Sequence, residues 1–217
     1  MPLHRIELPP RAGAASRTLV LLHGYGADEH DLLSLGHVLD PTVRVVSLAA
    51  PLSLPWGGRA WYQLTQSESG FGWDPAEVAQ ATALAAAEIE LIGREAGAPP
   101  LLLGFSQGAG IALMVALQRP GAVRGVLALS AVPPDRGGST PRGGGEGATK
   151  GLPVFLGHGT RDSLLPIAVA HHSRALLEEA GCDVTFREYP MAHEISEAEL
   201  ADARSFLGEL PAWPRMV

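Results

Sequence analysis

The sequence contains 217 residues, 46% of them apolar, and this length suits one domain with its own hydrophobic core. The formal net charge is −7 and Lys and Arg form no run, which argues against a nucleic-acid-binding surface. No stretch reaches the roughly 18 uninterrupted apolar residues of a membrane span, and no signal-peptide core follows the first charges. We therefore expect a cytoplasmic protein that neither binds nucleic acid nor inserts stably into a membrane.

Short apolar runs predict the strands. Several, such as 19–22 and 101–103, are apolar at every position, which is typical of strands covered on both faces of a parallel sheet. The predicted strands are His4–Leu8, Thr18–Leu22, Val43–Leu48, Leu101–Phe105, Val123–Leu129, Pro153–Gly157 and Val184–Tyr189. Segments with helical spacing lie between them, and this alternation predicts a doubly wound α/β sheet.

The clearest helix signal begins at Asp74. Asp can cap a helix, Pro75 suits the first helical position, and Glu77 falls where a capping-box acid would. Gly97, followed by two prolines, ends this helix. Further helices are predicted over residues 31–39, 107–118, 167–180 and 196–210.

Two segments interrupt the alternation. Residues 51–73 hold three of the four tryptophans and are broken by Pro and Gly, which suggests a wall or short lid for a pocket. Residues 136–151 are rich in Gly, Ser and Thr and predict a mobile surface loop. With no internal repeat present, we expect residues 1–217 to form a single domain.

The motif GFSQG at 104–108 matches G-x-S-x-G. An apolar strand precedes it and a helical run follows it, as a nucleophile elbow requires. Side chains at Gly104 and Gly108 would collide with the neighbouring strand and helix, and we expect a strained backbone at Ser106. The alternative is a Gly-rich turn that only saves space.

A serine hydroxyl needs an adjacent base and a group that orients the base. Asp162 follows the strand 153–157 and His193 follows the strand 184–189, in the chain order Ser, Asp, His of this architecture. Because parallel strands end at one edge of a sheet, we expect both side chains to lie near Ser106. The alternatives are a turn or cap residue at 162 and a surface histidine at 193.

The strand 19–22 leads into the loop HGYG at 23–26, which is suited to an oxyanion hole. The predicted donors are the backbone N–H groups of Tyr25 and Gln107. We expect His158 and His23 to be structural, with His23 helping to shape this loop. No histidine or acidic cluster has metal-ligand spacing, and we expect no metal or other cofactor. The single cysteine, Cys182, reads as an ordinary packed or surface thiol.

Four blocks carry a family resemblance: LLHGYGAD at 21–28, GFSQGAG at 104–110, HGTRDSLLP at 158–166 and YPMAHE at 189–194. Together they resemble the carboxylesterase/phospholipase family of α/β-hydrolases, which also contains the acyl-protein thioesterases. The resemblance implies the α/β-hydrolase fold, with a mostly parallel central sheet, helices on both faces and no large cap domain. It assigns Ser106, Asp162 and His193 to the catalytic triad, and Tyr25 and Gln107 to the oxyanion hole.

The hypothesis at this point is a serine carboxylesterase that hydrolyses small to medium acyl esters through an acyl-serine intermediate. An acyl thioesterase or a lysophospholipase would use the same residues, and a non-catalytic small-molecule-binding protein of the same fold is a further alternative. The predicted substrate contacts are Trp61, Tyr62, Phe71, Trp73, Leu164 and Leu165. The resemblance implies that Trp61 and Tyr62 face the site, although the aromatics could instead pack their loop onto the core. Both a monomer and a homodimer are compatible with the sequence.

Overall fold

The centre of the fold is a sheet, seen in a computed structural model that describes residues 2–67, 70–134 and 147–210. Within these residues its seven strands are β1 (Arg5–Leu8), β2 (Arg17–Leu22), β3 (Val43–Leu48), β4 (Leu101–Phe105), β5 (Gly125–Leu129), β6 (Pro153–Gly159) and β7 (Asp183–Tyr189). They lie in the order β1-β3-β2-β4-β5-β6-β7. All neighbours are parallel except β1 and β3. The predicted mostly parallel sheet is confirmed, with an antiparallel strand at one edge.

Helices cover both faces of the sheet, as predicted. In the described residues they are α1 (Leu33–Leu39), α2 (Pro75–Ala96), α3 (Gln107–Gln118), α4 (Ile167–Glu179) and α5 (Glu197–Glu209), with a short 3₁₀ turn at Pro120–Ala122. Helices α2, α3 and α4 contribute to the core on one face, and α1 and α5 pack on the other. None of these described helices combines the length and the apolar character that a membrane crossing requires.

Alternate residues of the central strands enter two separate cores. In β2, Val20 and Leu22 join the core on the α2 and α3 side, whereas Leu19 and Leu21 join the core on the α1 and α5 side. All four are fully buried, which is why the strand is apolar at every position instead of every second one. Burying each such side chain stabilises the fold by about 1.5–3 kcal/mol.

Asp74, Pro75 and Gly97 act at the ends of α2 as the sequence predicts, whereas the expected capping-box acid Glu77 accepts its hydrogen bond from the Gln63 N–H at 2.8 Å instead. The Asp74 carboxylate accepts a hydrogen bond from the Ala76 N–H at 2.8 Å, and Pro75 is the first helical residue. Gly97 ends the helix with a φ of 70°, a left-handed conformation that glycine adopts without strain.

Residues 51–73 contain two short hairpins that the sequence did not predict. Leu52–Ser53 pairs with Arg59–Ala60, and Thr65–Ser67 pairs with Gly70–Gly72. The Arg59 guanidinium donates hydrogen bonds to the carbonyl oxygens of Ala50 and Pro51, so this side chain closes the first hairpin onto the end of the preceding strand.

The loop predicted at 136–151 lies mostly outside the described residues, which omit 135–146. Its last residues, 147–151, form a turn in which Thr149 is buried. The Thr149 hydroxyl donates a hydrogen bond to the Ala180 carbonyl at the end of α4. This end of the segment is therefore anchored to the fold.

Candidate active site

Ser106 occupies a sharp turn between β4 and α3. Its backbone angles are φ 55° and ψ −116°, in a region that residues other than glycine rarely adopt. A Cβ at Gly104 would lie 2.5 Å from the Ala109 Cα, and a Cβ at Gly108 would overlap the Leu22 carbonyl oxygen of β2. Close packing of strand, turn and helix therefore requires both glycines, as the sequence predicted.

Three polar side chains meet beside this turn. His193 Nε2 lies 2.9 Å from Ser106 Oγ, and His193 Nδ1 lies 2.6 Å from Asp162 Oδ2. An ionised carboxylate can only accept hydrogen bonds, so Nδ1–H donates to Asp162. In the neutral ring Nε2 then carries no proton and accepts from the Ser106 hydroxyl. The Asp162 side chain is fully buried, whereas that of His193 is 15% exposed. The structure thus joins in one line the three residues that the sequence places on separate loops.

The loop around Asp162 holds its carboxylate in a fixed orientation. Oδ1 accepts hydrogen bonds from the N–H groups of Leu164 and Leu165, at 2.9 and 2.8 Å. With Oδ1 held in this way, Oδ2 is directed at His193. Asp162 therefore also stabilises its turn, which was the alternative role considered for it. The same hydrogen bonds orient the carboxylate toward the imidazole.

His158 lies behind Asp162. Its Nε2 is 2.7 Å from the Leu165 carbonyl oxygen and 3.6 Å from Asp162 Oδ2. Because a carbonyl can only accept, Nε2 carries the proton in this bond. Burial lowers the pKa of His158, which keeps the ring neutral near neutral pH, so it adds no positive charge beside Asp162. This arrangement agrees with the expected structural role.

The loop after β2 packs closely on the Ser106 turn. A Cβ at Gly24 would lie 3.5 Å from Ser106 Cβ and 3.2 Å from the Phe105 ring. Within the part of the chain that the structure describes, the N–H groups of Tyr25 and Gln107 donate to no protein acceptor. An oxyanion hole requires N–H groups that are not already used within the protein. Their action on a substrate stays a prediction.

His23 stabilises this loop through two hydrogen bonds. Its Nδ1 lies 2.8 Å from the Gly24 carbonyl oxygen, and its Nε2 accepts a hydrogen bond from the Ala50 N–H at 3.1 Å. These two partners place the ring proton on Nδ1. Burial lowers the pKa of His23, so the ring stays neutral and serves as a structural link between the loop and the end of β3.

The side chain of Gln107 makes contacts that the sequence reasoning missed. Its Oε1 accepts a hydrogen bond from the Trp61 N–H at 2.9 Å, and its Nε2 donates to the Tyr62 carbonyl at 2.8 Å. The Trp61 indole N–H donates to the His23 carbonyl at 2.9 Å. The available signal was an amide in the first turn of an otherwise apolar helix, but its partners are about 45 residues away and cannot be read from it.

The aromatic residues predicted as substrate contacts differ in how far they are buried. Trp61 and Tyr62 are 1% and 2% exposed and belong to the core, which fits the alternative of aromatics packing their loop better than a substrate-facing role. Trp73 is partly buried and packs against the same core. The Phe71 side chain is outside the part of the chain that is described.

Two leucines follow Asp162 directly. Leu165 is partly buried, and its backbone binds both Asp162 and His158. Leu164 is 56% exposed, although it is large and apolar. The Leu164 side chain is therefore accessible from solvent, and its contact with a substrate remains a prediction.

The thiol of Cys182 offers no second nucleophile. The residue is buried, and burial raises the pKa of the thiol to about 11. The thiolate, which is the reactive form, is therefore scarce near neutral pH. This agrees with the packed thiol expected from the sequence.

The fold and this edge of the sheet together define an α/β-hydrolase: parallel strands with helices on both faces, a strained serine at a strand–helix turn, and a histidine–carboxylate pair on neighbouring loops. The sequence profile of the phospholipase/carboxylesterase family matches residues 5–210. The chain belongs to this family.

Similar proteins come from several organisms. MhqD of Bacillus subtilis is 27% identical, and the match covers 91% of this chain and 95% of MhqD. Acyl-protein thioesterase 1 of Candida albicans is also 27% identical, with 95% and 97% covered. The carboxylesterase of Bacillus cereus superposes with a TM-score of 0.80 at 22% identity, covering 96% of this chain and 94% of that one. The last likeness establishes the shared fold.

Proposed function

We propose that this protein is a serine carboxylesterase that hydrolyses small to medium acyl esters. The observation that carries the proposal is the hydrogen-bonded line Ser106–His193–Asp162 on the strained turn. A hydroxyl bound to a neutral imidazole, which in turn is bound to a buried carboxylate, is the arrangement that activates serine for attack on a carbonyl. Membership of a hydrolase family supports the same chemistry.

In the proposed acylation step, Ser106 Oγ attacks the ester carbonyl carbon while His193 Nε2 takes the hydroxyl proton. The Asp162 carboxylate stabilises the imidazolium that forms. The carbonyl oxygen, now negative, is bound by the N–H groups of Tyr25 and Gln107. Collapse of this intermediate breaks the ester C–O bond, and His193 gives its proton to the departing alcohol.

Deacylation repeats these steps with water. His193 takes a proton from the water as it attacks the acyl-Ser106 carbonyl, and the second tetrahedral intermediate releases the carboxylic acid. The proton then returns from His193 to Ser106 Oγ. The proposed cycle balances with protein groups and water alone.

Access to Ser106 supports small to medium acyl groups as substrates. Ser106 is partly buried, and no inserted domain covers it within the residues that the structure describes. The exposed Leu164 beside Asp162 offers apolar surface for a short acyl or alcohol group.

Labelling with a fluorophosphonate tests this proposal. The reagent should modify Ser106, as mapped by peptide mass spectrometry, and ester hydrolysis should stop in proportion to labelling. Ser106→Ala should abolish both, whereas Ser205→Ala, which removes an exposed serine on α5, should change neither. Modification elsewhere, or full esterase turnover in Ser106→Ala, would refute the assignment. A protein that binds esters without turnover would point to the non-catalytic alternative.

Thioester hydrolysis is the second candidate function. It is supported by the similarity to acyl-protein thioesterase 1 over nearly the full length of both chains. Rates on oxygen and sulfur esters with the same acyl group distinguish these two candidates. Hydrolysis of a lysophospholipid tests the remaining alternative, a lysophospholipase. A higher kcat/KM for the oxygen ester is the result that the primary proposal predicts.

A further inference from the structure

The Gln107 amide is hydrogen-bonded on both sides to consecutive residues of a distant segment. Its oxygen accepts from the Trp61 N–H and its nitrogen donates to the Tyr62 carbonyl, at 2.9 and 2.8 Å. Gln107, Trp61 and Tyr62 are all at most 2% exposed. A neutral amide offers both an acceptor and a donor in this geometry, whereas a carboxylate only accepts and an apolar side chain does neither.

Trp61 extends the connection to the loop that follows β2. Its indole N–H donates to the His23 carbonyl at 2.9 Å, in the loop that carries Tyr25. Arg59, two residues before Trp61, pairs with the same loop, since Gly26 N–H donates to the Arg59 carbonyl and Arg59 N–H to the Ala27 carbonyl. The segment 59–62 therefore binds both halves of the proposed oxyanion hole.

We propose that the Gln107 side chain, acting through Trp61, is a positioning group that sets the spacing of the two oxyanion N–H donors. This inference rests on the proposed function and concerns the side chain of a residue whose backbone is the expected donor. An oxyanion hole stabilises the transition state only when its donors are held in place before the reaction. A shift of about 1 Å in such groups costs on the order of 100-fold in rate.

Gln107→Leu tests the proposal, with Gln118→Leu as the matched control at the opposite end of α3. Active sites are first counted by fluorophosphonate titration, so that misfolded protein does not contribute. Gln107→Leu should lower kcat by about 10- to 100-fold with little change in KM, whereas Gln118→Leu should leave both unchanged. A trifluoromethyl ketone adds Ser106 Oγ to its carbonyl and leaves a negative oxygen in the hole; its affinity should fall by the same factor as kcat/KM.

Gln107→Glu supplies a pH signature that a packing role would not give. The protonated carboxyl can still donate to the Tyr62 carbonyl and accept from the Trp61 N–H, but the carboxylate places two acceptors face to face. The ratio of variant to wild-type kcat should therefore be near one in acid and fall as the pH rises through the pKa of the new carboxyl. If Gln107→Leu does not fold, the pH dependence of Gln107→Glu still tests the positioning role.

Trp61→Phe removes the indole donor and keeps the backbone bond to Gln107. If both residues act as one unit, the double variant with Gln107→Leu should lose less activity than the product of the two single losses. Gln107 variants with wild-type kcat and wild-type ketone affinity, or a pH-independent ratio, would overturn the positioning role while the proposed function stands. A wild-type protein that neither hydrolyses esters nor reacts with fluorophosphonate would instead overturn the proposed function.

Discussion

The backbone of Ser106 adopts a conformation that costs about 1–3 kcal/mol for a residue other than glycine. The surroundings hold it there. Its N–H donates to the Leu129 carbonyl, and its carbonyl accepts from Gly110 and Val132. The two flanking glycines let α3 approach β2 and β4 closely enough for these bonds to form. The strain therefore has a use, because it projects the hydroxyl toward His193.

Replacing Gly108 tests how tight this turn is. A Cβ there would overlap backbone atoms of Leu22 and His23, which cannot move without displacing β2. We expect Gly108→Ala to destabilise the protein by about 3 kcal/mol or more and to abolish esterase activity. Denaturant unfolding measures the first effect. Gly208→Ala in α5 meets no atom within 4 Å and should stabilise by up to about 1 kcal/mol. Equal stability of the two variants would contradict the packing account.

Glu199 is a fully buried acid in the first turn of α5. Its N–H donates a hydrogen bond to Ser196 Oγ, which caps the helix. Its carboxyl oxygens make no well-formed hydrogen bond with the described residues and lie against Gly157 of β6. Burial raises the pKa of Glu199 to about 8, partly offset by the backbone N–H of Ser196.

This raised pKa predicts a loss of stability with rising pH. Below about pH 4.5, the ordinary value, the folded and unfolded states both hold the proton. Between about 4.5 and 8 the unfolded state has released it while the folded state keeps it, so the free energy of unfolding falls. Each pKa unit is worth about 1.4 kcal/mol, so the fall amounts to a few kcal/mol.

Glu199→Gln removes this titration. Unfolding free energies of the variant and the wild type, measured in urea from pH 4 to 9, should diverge in favour of the variant as the pH rises and then run parallel above about pH 8. Glu197→Gln, an exposed acid on the same turn, is the control and should follow the wild type. A constant difference between Glu199→Gln and wild type would show that the acid is not buried in its neutral form.

At the scale of elements, helix α2 shows how far local sequence signals reach. Asp74, Pro75 and Gly97 are all used as the sequence indicates. Asp74→Ala should therefore lower the free energy of unfolding by about 1 kcal/mol, whereas Asp74→Asn, which retains the cap, should have little effect. Both should keep wild-type kcat/KM. Equal unfolding midpoints for the two variants in guanidinium would contradict a stabilising role for this cap.

The main strands and helices were predictable to within two residues, because their apolar patterns reflect burial on the sheet. The antiparallel direction of β1 and the short hairpins in 51–73 were not. The hairpin at Leu52–Ser53 depends on Arg59, whose guanidinium reaches backwards to carbonyl oxygens of an earlier segment. Such side-chain-to-backbone bonds between segments leave no periodic signal in a sequence.

At the scale of the whole molecule, the candidate site is assembled from loops that follow β2, β4, β6 and β7. The strand order brings these loops together, because parallel strands end at the same edge of a sheet. This rule and the sequence motifs were enough to predict that Ser106, Asp162 and His193 lie close together. The burial of Trp61 and the partners of Gln107 depend on how segment 51–73 folds over that edge. These contacts between distant segments leave no signal in the sequence.

The central claim is that Ser106, His193 and Asp162 act as one unit, and a double-variant comparison of kcat/KM tests it most directly. We predict that Ser106→Ala and His193→Ala each lower ester hydrolysis by about 10⁶-fold, and that the double variant is no worse than either alone. The assay must use protein free of contaminating esterase, with Ser205→Ala prepared in parallel as the control. Losses that multiply in the double variant, or a His193→Ala enzyme that keeps most of its activity, would contradict the account.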